Sequence, residues 1–465
     1  MHTSQHTEEQ LRSIRRGALI AASLTAFLSP FMGSSVNVAL PDIGKAFGMG
    51  AVMLGWVNLS FLLVSASLAI PFGRLGDIWG RKRFFMAGMA VFTLASVWIA
   101  LACSGPLLIT GRALQGIGSA MITATGMAIL ISVFPPEKRG KVLGINVAAV
   151  YLGLSAGPFI GGMITQYLGW RALFWMNLPI GLLLLVVGVV MLKGEWVEDK
   201  GAKYDLPGAL ILSASLFVSL YAFSQLPSAR AFYLLFLGVC GLAAFSIVEH
   251  RSKSPIIDVR IFYTNRVFTL SNVAALINYA ATFAVTFLVS IYLQKIRGFS
   301  PNIAGIVLVS QPVMQTLLSP FAGRLSDRIQ PRYVASSGMA SCLIGLLLLC
   351  FVEEHTHVSY LIGCLIFLGV GFAAFSSPNT KAVMGAVDRR IFGVASAVLG
   401  TMRQMGMTFS MGIVIMVLAL YLGDSDVGVS NASQYVDGMR YAFVVFAVLC
   451  LVGVFASLAR GHSKN

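Results

Sequence analysis

Two arginines lie inside long apolar stretches of this sequence: Arg112 in LITGRALQGIG and Arg403 in GTMRQMG. A charged side chain at membrane depth is costly unless it is paired or hydrated, so such a residue indicates a functional site. Gln115 follows Arg112 by one helical turn and would share its face. Arg403 falls near the middle of its stretch and is the stronger candidate for a cavity residue. Arg112 is nearer one end, and its alternative role is to extend to the membrane surface.

Uncharged polar side chains that could line the same cavity occur along the whole chain. Besides Gln115 and Arg403, the residues that we predict to face the cavity are Asn37, Asn58, Asn146, Tyr151, Asn278, Gln311 and Gln315. Further polar residues of the same stretches are Ser34, Ser35, Asn272, Tyr279 and Asn379. For each of them the alternative is a hydrogen bond between neighbouring helices.

Acids are missing from the middles of the apolar stretches, because all 18 can be placed at their ends or between them. Histidines are missing there too. A proton-coupled carrier usually holds an ionisable carboxylate or histidine at membrane depth. The candidates for proton coupling are therefore Asp42 and Asp77 near the two surfaces, with Arg112 modulating either. Arginines without a buried counter-charge predict a positive cavity, which suits anionic or neutral amphipathic compounds better than cations.

The residues give no sign of covalent or metal chemistry. Six cysteines lie in or beside apolar stretches without C-x-x-C spacing, and six histidines lie in tails and links. We find no nucleophile–base pair, metal-ligand cluster or phosphate-binding loop. We therefore expect a protein that is not an enzyme, with no catalytic residue, no metal and no cofactor.

The elements that position these residues are membrane-spanning helices. With 57% hydrophobic residues, 11% charged residues and a mean hydropathy of +0.83, the chain cannot be a soluble globular domain. Each crossing needs about 20 mostly apolar residues. We predict fourteen spans, at 17–41, 52–72, 84–104, 107–132, 141–165, 169–193, 207–226, 231–248, 266–293, 302–322, 333–352, 358–380, 392–421 and 438–459.

Polar linkers at 194–205 and 250–265 divide these spans into six, two and six. The predicted architecture is an all-α membrane protein with an N-terminal six-helix bundle (1–193) and a C-terminal six-helix bundle (266–465). Between them lies an inserted pair of spans with its linkers (194–265).

A glycine-rich hairpin joins spans 2 and 3 in PFGRLGDIWGRKR, residues 71–83. Gly73 and Gly80 permit close approach and turning, and Asp77 can pair with Arg81. A similar stretch, SPFAGRLSDR at 319–328, follows span 10 and contains Asp327. Such self-similarity indicates a transporter built from two parallel repeats. The alternative is a pair of ordinary basic loops.

Span 5 carries a stripe of small residues. Gly153, Gly157 and Gly161 recur at every fourth position, Gly162 adjoins them and Pro158 interrupts the helix. A kinked helix with a flat face suits a hinge or seal between two halves. Simple helix packing is the alternative.

The distribution of cations orients the chain. Of 33 lysines and arginines, 25 fall in segments assigned to one side, 6 to the other and 2 inside spans. The positive-inside bias then places both termini in the cytoplasm of a multi-pass cell-membrane protein. The formal net charge of +15 is a topology signal and requires no nucleic-acid partner. The expected partners are the lipid bilayer and a small-molecule substrate, and we expect a monomer.

Taken together, these motifs resemble the major facilitator superfamily, and in particular its fourteen-span drug:proton antiporter branch. The loop at 73–83 is similar to the signature between spans 2 and 3, and 112–118 to the motif of span 4. Residues 153–162 resemble the exporter motif of span 5. Residues 36–41 and 403–406 are similar to segments of spans 1 and 13 in that branch.

The resemblance implies alternating access of two six-helix bundles around a midplane site. It implies that Asp77 and Arg81 latch the outward-open state, with Gly73, Gly80 and Asp327 in the paired hairpins. It links Arg112 to proton coupling, and the span 5 stripe to suppression of leak. Where members of the branch commonly carry an acid in span 1, this chain has Met32.

The sequence is compatible with three functions. The first is a proton-driven exporter of small amphipathic compounds, of the multidrug efflux type. The second is an exchanger or downhill carrier of an organic anion or lipid-like molecule. The third is a transport-inactive sensor or assembly partner, which the short soluble segments disfavour.

Overall fold

The computed structural model describes residues 8–198, 201–252, 255–256, 259–387, 392–423 and 427–461. Within this part of the chain, fourteen helical segments are long and apolar enough to cross a membrane, which confirms the predicted number. In chain order, spans 1 to 14 are Glu8–Phe47, Ala51–Trp79, Arg81–Ala100, Gly105–Val133, Pro136–Leu168, Arg171–Val190, Leu206–Ser224, Ala229–Arg251, Arg266–Ile296, Pro301–Arg328, Pro331–Leu349, Val358–Gly385, Phe392–Leu422 and Ala432–Leu458.

Three spans are interrupted. Span 6 consists of Arg171–Trp175 and Asn177–Val190, span 9 of Arg266–Thr282, Val285–Ile291 and a π-helical turn at Tyr292–Ile296, and span 10 of Pro301–Leu308 and Ser310–Arg328. Short helices at Arg260–Thr264 and Val429–Asn431 lie between spans. At the break in span 9, the amide of Ala284 donates to the hydroxyl of Ser410 in span 13 at 3.0 Å. A neighbouring span thus satisfies a backbone group that the break frees.

The hairpin between spans 2 and 3 is tighter than its sequence suggested. The helix of span 2 continues through the basic segment to Trp79, and span 3 begins at Arg81. Gly80 alone makes the turn, with φ of +123°. That backbone conformation is strained for any residue with a Cβ, which explains the glycine.

The same pairs of spans pack together in each half. Span 1 packs on span 5, span 2 on span 4, span 3 on span 4 and span 3 on span 6. The corresponding pairs eight spans later, 9 with 13, 10 with 12, 11 with 12 and 11 with 14, also pack. Between the halves, span 2 packs on span 13 and span 5 on span 10. Span 2 of the first half corresponds to span 10 of the second, and span 5 corresponds to span 13. A rotation that exchanges the halves therefore turns one of these contacts into the other, so the halves are related by a pseudo-two-fold axis.

Spans 7 and 8 pack on each other, and span 7 covers the seam between spans 2 and 13. Leu220 of span 7 lies in a cluster with Leu63 of span 2 and Met405 of span 13. Since an even number of spans returns the chain to its starting side, span 1 begins and span 14 ends at one face, called here the terminal face. The other is called the opposite face.

Candidate functional site

Polar side chains meet at mid-depth on the interface between the halves. The Tyr151 hydroxyl of span 5 donates to Ser376 of span 12 at 3.4 Å. Ser155, one turn further along span 5, lies 3.0 Å from the hydroxyl of Thr316 in span 10. These hydrogen bonds join the first half to the second in the middle of the predicted membrane.

Arg403 is directed into this region. Its Nη2 donates to Thr380 of span 12 at 2.6 Å, and its guanidinium lies 5.7 Å from the ring centre of Tyr279 in span 9. Tyr279 itself adjoins Ser376 and Tyr151. We call these five residues the central cluster. It combines one cation, two phenols and two hydroxyls, and the Nε of Arg403 is buried without a hydrogen-bond partner among the described residues.

Arg112 occupies a different place, inside the first half. It is 2% exposed; its Nε donates to the carbonyl oxygen of Val57 at 3.0 Å and its Nη1 donates to Gln115. Gln115 in turn donates to Ser96 at 2.8 Å, and Asn177 donates to the same hydroxyl at 3.2 Å. This network ties spans 2, 3, 4 and 6 together. Arg112 and Gln115 therefore hold helices of the first half together, away from the central cluster.

Asn37 and Asn58 form a buried pair nearer the opposite face. The amide of Asn58 donates to the side-chain oxygen of Asn37 at 2.6 Å. Ser290 of span 9 donates to the backbone oxygen of Asn37 at 2.8 Å, and Gln294 donates to that of Val38 at 2.9 Å. These bonds fasten span 9 to span 1 across the halves.

The remaining predicted cavity residues are spread over both halves. Asn146 donates to a backbone oxygen of span 1 at 3.0 Å. Asn278 is fully buried beside Cys342 in the interior of the second half. Gln311 and Gln315 are buried in span 10, and the Nε2 of Gln315, next in sequence to Thr316, has no partner among the described residues. Of this group, Gln315 lies nearest in sequence to the interface contacts.

Several residues of the interface between the halves were not predicted from the sequence. Ser376 and Thr380 stand four positions apart on span 12, which places them on one helix face. Gln404 of span 13 donates to Ser65 of span 2 at 3.1 Å and links the halves at the seam between these two spans. The spacing of hydroxyl residues on span 12 is the signal that would have found the first two.

The hairpin at the terminal face is contacted by a further segment of the chain, which follows span 6. Arg81 donates from Nε to Asp77 at 2.8 Å, as predicted from their spacing, and its Nη2 lies 3.0 Å from the carboxylate of Glu198. The backbone also pairs: the amide of Arg81 donates to Trp196, and that of Glu198 donates to Asp77, each at 3.0 Å. Residues 194–198, called here the linker segment, thus lie across the hairpin.

The rest of the hairpin fits this arrangement. The carboxylate of Glu195 accepts a hydrogen bond from the amide of Lys82 at 2.7 Å and occupies the space where a Cβ on Gly80 would lie. Gly73 approaches Ala124 of span 4. Asp327 in the second hairpin pairs with Lys381 of span 12. These hairpin ion pairs are made within a half or with the linker segment.

Asp42, the other coupling candidate, lies at the opposite face, half-buried beside Lys45 and Lys295. Together with Asp77 it follows a general pattern. Each acid that the structure describes lies in a link or within about two turns of a helix end.

Span 5 is enclosed between span 1 and span 10. A Cβ on Gly161 would lie 2.6 Å from Ser35 of span 1, and one on Gly153 or Gly157 would overlap span 1 as well. On another face, a Cβ on Gly162 would lie 2.5 Å from the carbonyl oxygen of Pro301 in span 10. The carbonyl of Pro158 approaches Gly305 of the same span. The small residues thus serve two close contacts, of which the second crosses the halves near the opposite face.

The contacts between the halves described above lie at mid-depth or toward the opposite face. The bonds from span 9 to span 1 and the contact of Gly162 with Pro301 lie toward the opposite face, and the bond of Ser155 with Thr316 lies at mid-depth. This is the pattern of a conformation closed to the opposite face. Two matched helical halves with a polar site between them are the architecture of a membrane transporter.

The chain belongs to the Major Facilitator Superfamily, whose family model matches residues 22–259 and 272–464. It is 29% identical over 443 residues to the riboflavin transporter RibZ of Clostridioides difficile, covering 95% of this chain and 96% of RibZ. It is 31% identical over 411 residues to the multidrug resistance protein Stp of Mycobacterium tuberculosis, covering 87% of this chain and 76% of Stp. These relatives are transporters, not enzymes.

A solved structure shares the fold. It is a bacterial homologue of the human lysosomal transporter Spinster, in an inward-facing and unoccupied conformation. The TM-score is 0.70 at 16% identity, and the match covers 98% of each chain. At this level of identity the likeness concerns the fold alone.

Proposed function

We propose that this protein exports small amphipathic compounds across the cell membrane by alternating access, driven by an inward flow of protons. The observation that carries the proposal is the central cluster, in which Tyr151 of one half meets Tyr279, Ser376 and Arg403 of the other. Aromatic faces, hydroxyls and one cation suit a flat, partly polar solute. Because both halves contribute residues to this site, its shape and accessibility change when the halves move.

The seal made by span 5 supports export rather than a channel-like path. Its glycines bring the helix against span 1 of the same half, and Gly162 brings it against span 10, where a larger side chain would hold the halves apart. Tight packing of this kind keeps water and ions out while the solute site turns from one face to the other. The name of Stp as a multidrug resistance protein is consistent with export of varied compounds.

Proton coupling is proposed for carboxylates near the faces. Asp77 is held by Arg81 at the terminal face, and Asp42 lies beside two lysines at the opposite face. Arg112 links spans 2 and 4 and would carry the effect of protonation between them. The proton gradient is the driving force, with no cofactor.

The proposed orientation has the terminal face in the cytoplasm. The split of 25 cations against 6 supports it through the positive-inside bias. The protein then acts as a monomer within the bilayer, with both termini cytoplasmic, and has no nucleic-acid partner.

The test uses purified protein in liposomes and a panel of labelled amphipathic compounds, with riboflavin among them. An imposed pH gradient should drive accumulation of at least one compound, and dissipating the gradient with an uncoupler should abolish it. Solute flux that does not depend on the pH gradient would refute proton coupling but not the proposal that the protein transports the compound.

A second candidate is a carrier of organic anions or lipid-like molecules that works by exchange or downhill. The specific observation is Arg403, a cation at mid-depth with a spare Nε and no carboxylate among its described contacts. Arg403→Ala should then abolish transport of anions, and unchanged transport of every anion tried would count against this candidate.

A further inference from the structure

The pseudo-two-fold relation gives the halves two seams, and the inserted pair of spans covers one of them. Where spans 2 and 13 meet, Leu220 of span 7 lies in a cluster with Leu63 and Met405. Toward the opposite face, Phe223 of span 7 packs edge-on against Phe409 of span 13, with ring centres 4.8 Å apart. Span 7 therefore separates this seam from the lipid.

The cover continues along the terminal half of the same seam. Ile70 of span 2 packs against a cluster that contains Leu212 and Leu216 of span 7. The hydroxyl of Tyr204, just before span 7, donates to the backbone oxygen of Pro71 at 3.4 Å. The seam between spans 2 and 13 is thus covered from mid-depth to the terminal face.

The seam between spans 5 and 10 is closed only in part. Toward the opposite face, Gly162 of span 5 lies against Pro301 of span 10. At mid-depth, the hydroxyls of Ser155 and Thr316 lie 3.0 Å apart. These contacts close the seam from the opposite face to the middle of the membrane.

The contacting faces separate in the terminal half. Helix periodicity carries the face of span 5 from Ser155 to Ala148 and Gly144, and the face of span 10 from Thr316 to Pro320. Ala148, Gly144 and Pro320 are all exposed, and a Cβ on Gly144 would have nothing within 4 Å. A gap, called here the side gap, therefore opens between spans 5 and 10.

The edges of the side gap are apolar. Leu317 and Phe321 of span 10 are 59% and 64% exposed, and Ile145 and Val147 of span 5 are exposed as well. Phe72, at the corresponding position of the first hairpin, is less exposed than Phe321. The protein thus presents apolar side chains to lipid at one seam and covers its symmetry mate.

The side gap leads to the central cluster. Tyr151 lies one helical turn from Ala148 on span 5. Its backbone oxygen accepts a hydrogen bond from Thr316 at 3.5 Å, and its hydroxyl donates to Ser376 at 3.4 Å. A solute that moved between spans 5 and 10 at the depth of the lipid would therefore meet Tyr151 first, with Arg403 beyond it.

We propose that amphipathic solutes enter the central cluster from the leaflet at the terminal face, through the side gap, while span 7 keeps the other seam closed. Apolar walls suit the apolar part of such a solute, and the polar cluster at the inner end suits its head group. This route presupposes the proposed export of amphipathic compounds, and it adds that the preferred substrates are those that partition into the bilayer.

The first measurement tests the side gap without transport. The full-length chain, with its native cysteines replaced, is placed in phosphatidylcholine vesicles and labelled with pyrene maleimide, which dissolves in the bilayer. Ala148→Cys is compared with Ala66→Cys, the same substitution at a position that is 0% exposed in the cluster beneath span 7. Ala148→Cys should react at least about tenfold faster, because a buried thiol is protected. Phospholipids spin-labelled on the acyl chain should quench the pyrene attached there.

The second measurement compares gradient-driven uptake of two probes with the same aromatic group and charge. Dansyl-aminoundecanoic acid resides in the bilayer, and dansylglycine is mainly dissolved in water. Ala148→Trp and Gly144→Leu fill the side gap by different means, so one decides if the other does not fold. Leu210→Trp is the control, because Leu210 is a 60% exposed residue of span 7 outside the gap.

Both filling variants should raise KM for the long-chain probe by about tenfold with little change in kcat, since they slow its entry. Their KM for dansylglycine should stay nearly constant, and Leu210→Trp should change neither value.

Three results would overturn the proposal. Equal labelling of the two cysteines would show that the side gap is closed to lipid, whatever is transported. An unchanged KM for the long-chain probe would show that the gap holds only lipid chains. Uptake of other compounds but of neither dansyl probe by wild type would refute entry from the bilayer and leave the proposed export intact.

Discussion

Arg403 is the cation of the central cluster, the proposed ligand site. Its guanidinium donates to Thr380, faces the ring of Tyr279 and keeps a buried Nε free of partners among the described residues. Tyr279 packs edge-on against Phe372, with ring centres 5.0 Å apart. An anionic group on a flat solute would satisfy the free donor while the solute contacts the ring.

The first prediction follows from this geometry. Arg403→Gln should weaken binding of a carboxylate-bearing amphipathic compound by about 2 kcal/mol, roughly thirtyfold, because a charge-assisted hydrogen bond is lost. The uncharged ester of the same compound should bind almost as before. Ligand-induced shifts of the apparent Tm measure both.

Arg403→Lys is the control for charge without the planar fork, and it should retain an intermediate preference for the acid. An equal loss of affinity for acid and ester in Arg403→Gln would mean that the arginine shapes the site rather than binding the anion.

At the scale of elements, the linker segment binds to the hairpin between spans 2 and 3 through hydrogen bonds and ion pairs. Glu195 is 24% exposed and accepts from the first turn of span 3, while Glu198 is 64% exposed and pairs with Arg81. A carboxylate that caps a helix is worth about 1 kcal/mol, and an exposed ion pair less than about 1 kcal/mol.

We therefore expect Glu195→Ala to lower the apparent Tm more than Glu198→Ala does. Glu9→Ala, at an exposed position of span 1, should leave it unchanged. Thermal unfolding in one detergent measures all three variants. A larger effect of Glu198→Ala would show that the ion pair with Arg81, and not the cap, holds the segment.

Span 5 allows a test of the seal between the halves. A methyl group at Gly162 would lie 2.5 Å from the Pro301 carbonyl oxygen, so Gly162→Ala must push span 10 away at a cost of about 1–3 kcal/mol. The expected result is a faster passive leak of protons in liposomes, read with an internal pH dye.

Gly400→Ala is the matched control, since a methyl group there has nothing within 4 Å. It should leave the leak unchanged and should stabilise span 13 by about 0.5–1 kcal/mol. Equal leak rates in wild type and Gly162→Ala would show that this contact is not part of the seal.

Elements of this kind were largely predictable, and contacts between them were not. Hydropathy located the fourteen spans because each must satisfy its own backbone in lipid. It also singled out Arg403. It could not separate Arg112, which bonds within one half, from a cavity residue, because helix periodicity does not say which neighbour a face meets. The burial of Arg460, which follows span 14 and is 1% exposed, could not be predicted, because a position at a span end is that of an ordinary surface cation.

At the scale of the whole molecule, the two halves are related by a pseudo-two-fold axis. Spans 2 and 13 pack along one seam and spans 5 and 10 along its symmetry mate. In the proposed mechanism, a rocking of the halves about the central cluster opens one face as it closes the other, while packing inside each half is kept. Contacts across the halves must break in each cycle, whereas contacts within a half need not.

Paired cysteines test this distinction, introduced in a background where the six native cysteines are replaced. Ser155 and Thr316 lie 3.0 Å apart across the halves, and Ser336 and Ser457 lie 2.8 Å apart within the second half. Oxidation of Ser155→Cys with Thr316→Cys should stop transport of a compound found in the vesicle screen, and a reductant should restore it. Oxidation of Ser336→Cys with Ser457→Cys should form a cross-link of similar geometry without stopping transport. If the cross-link between the halves leaves transport intact, the halves do not rock about this interface.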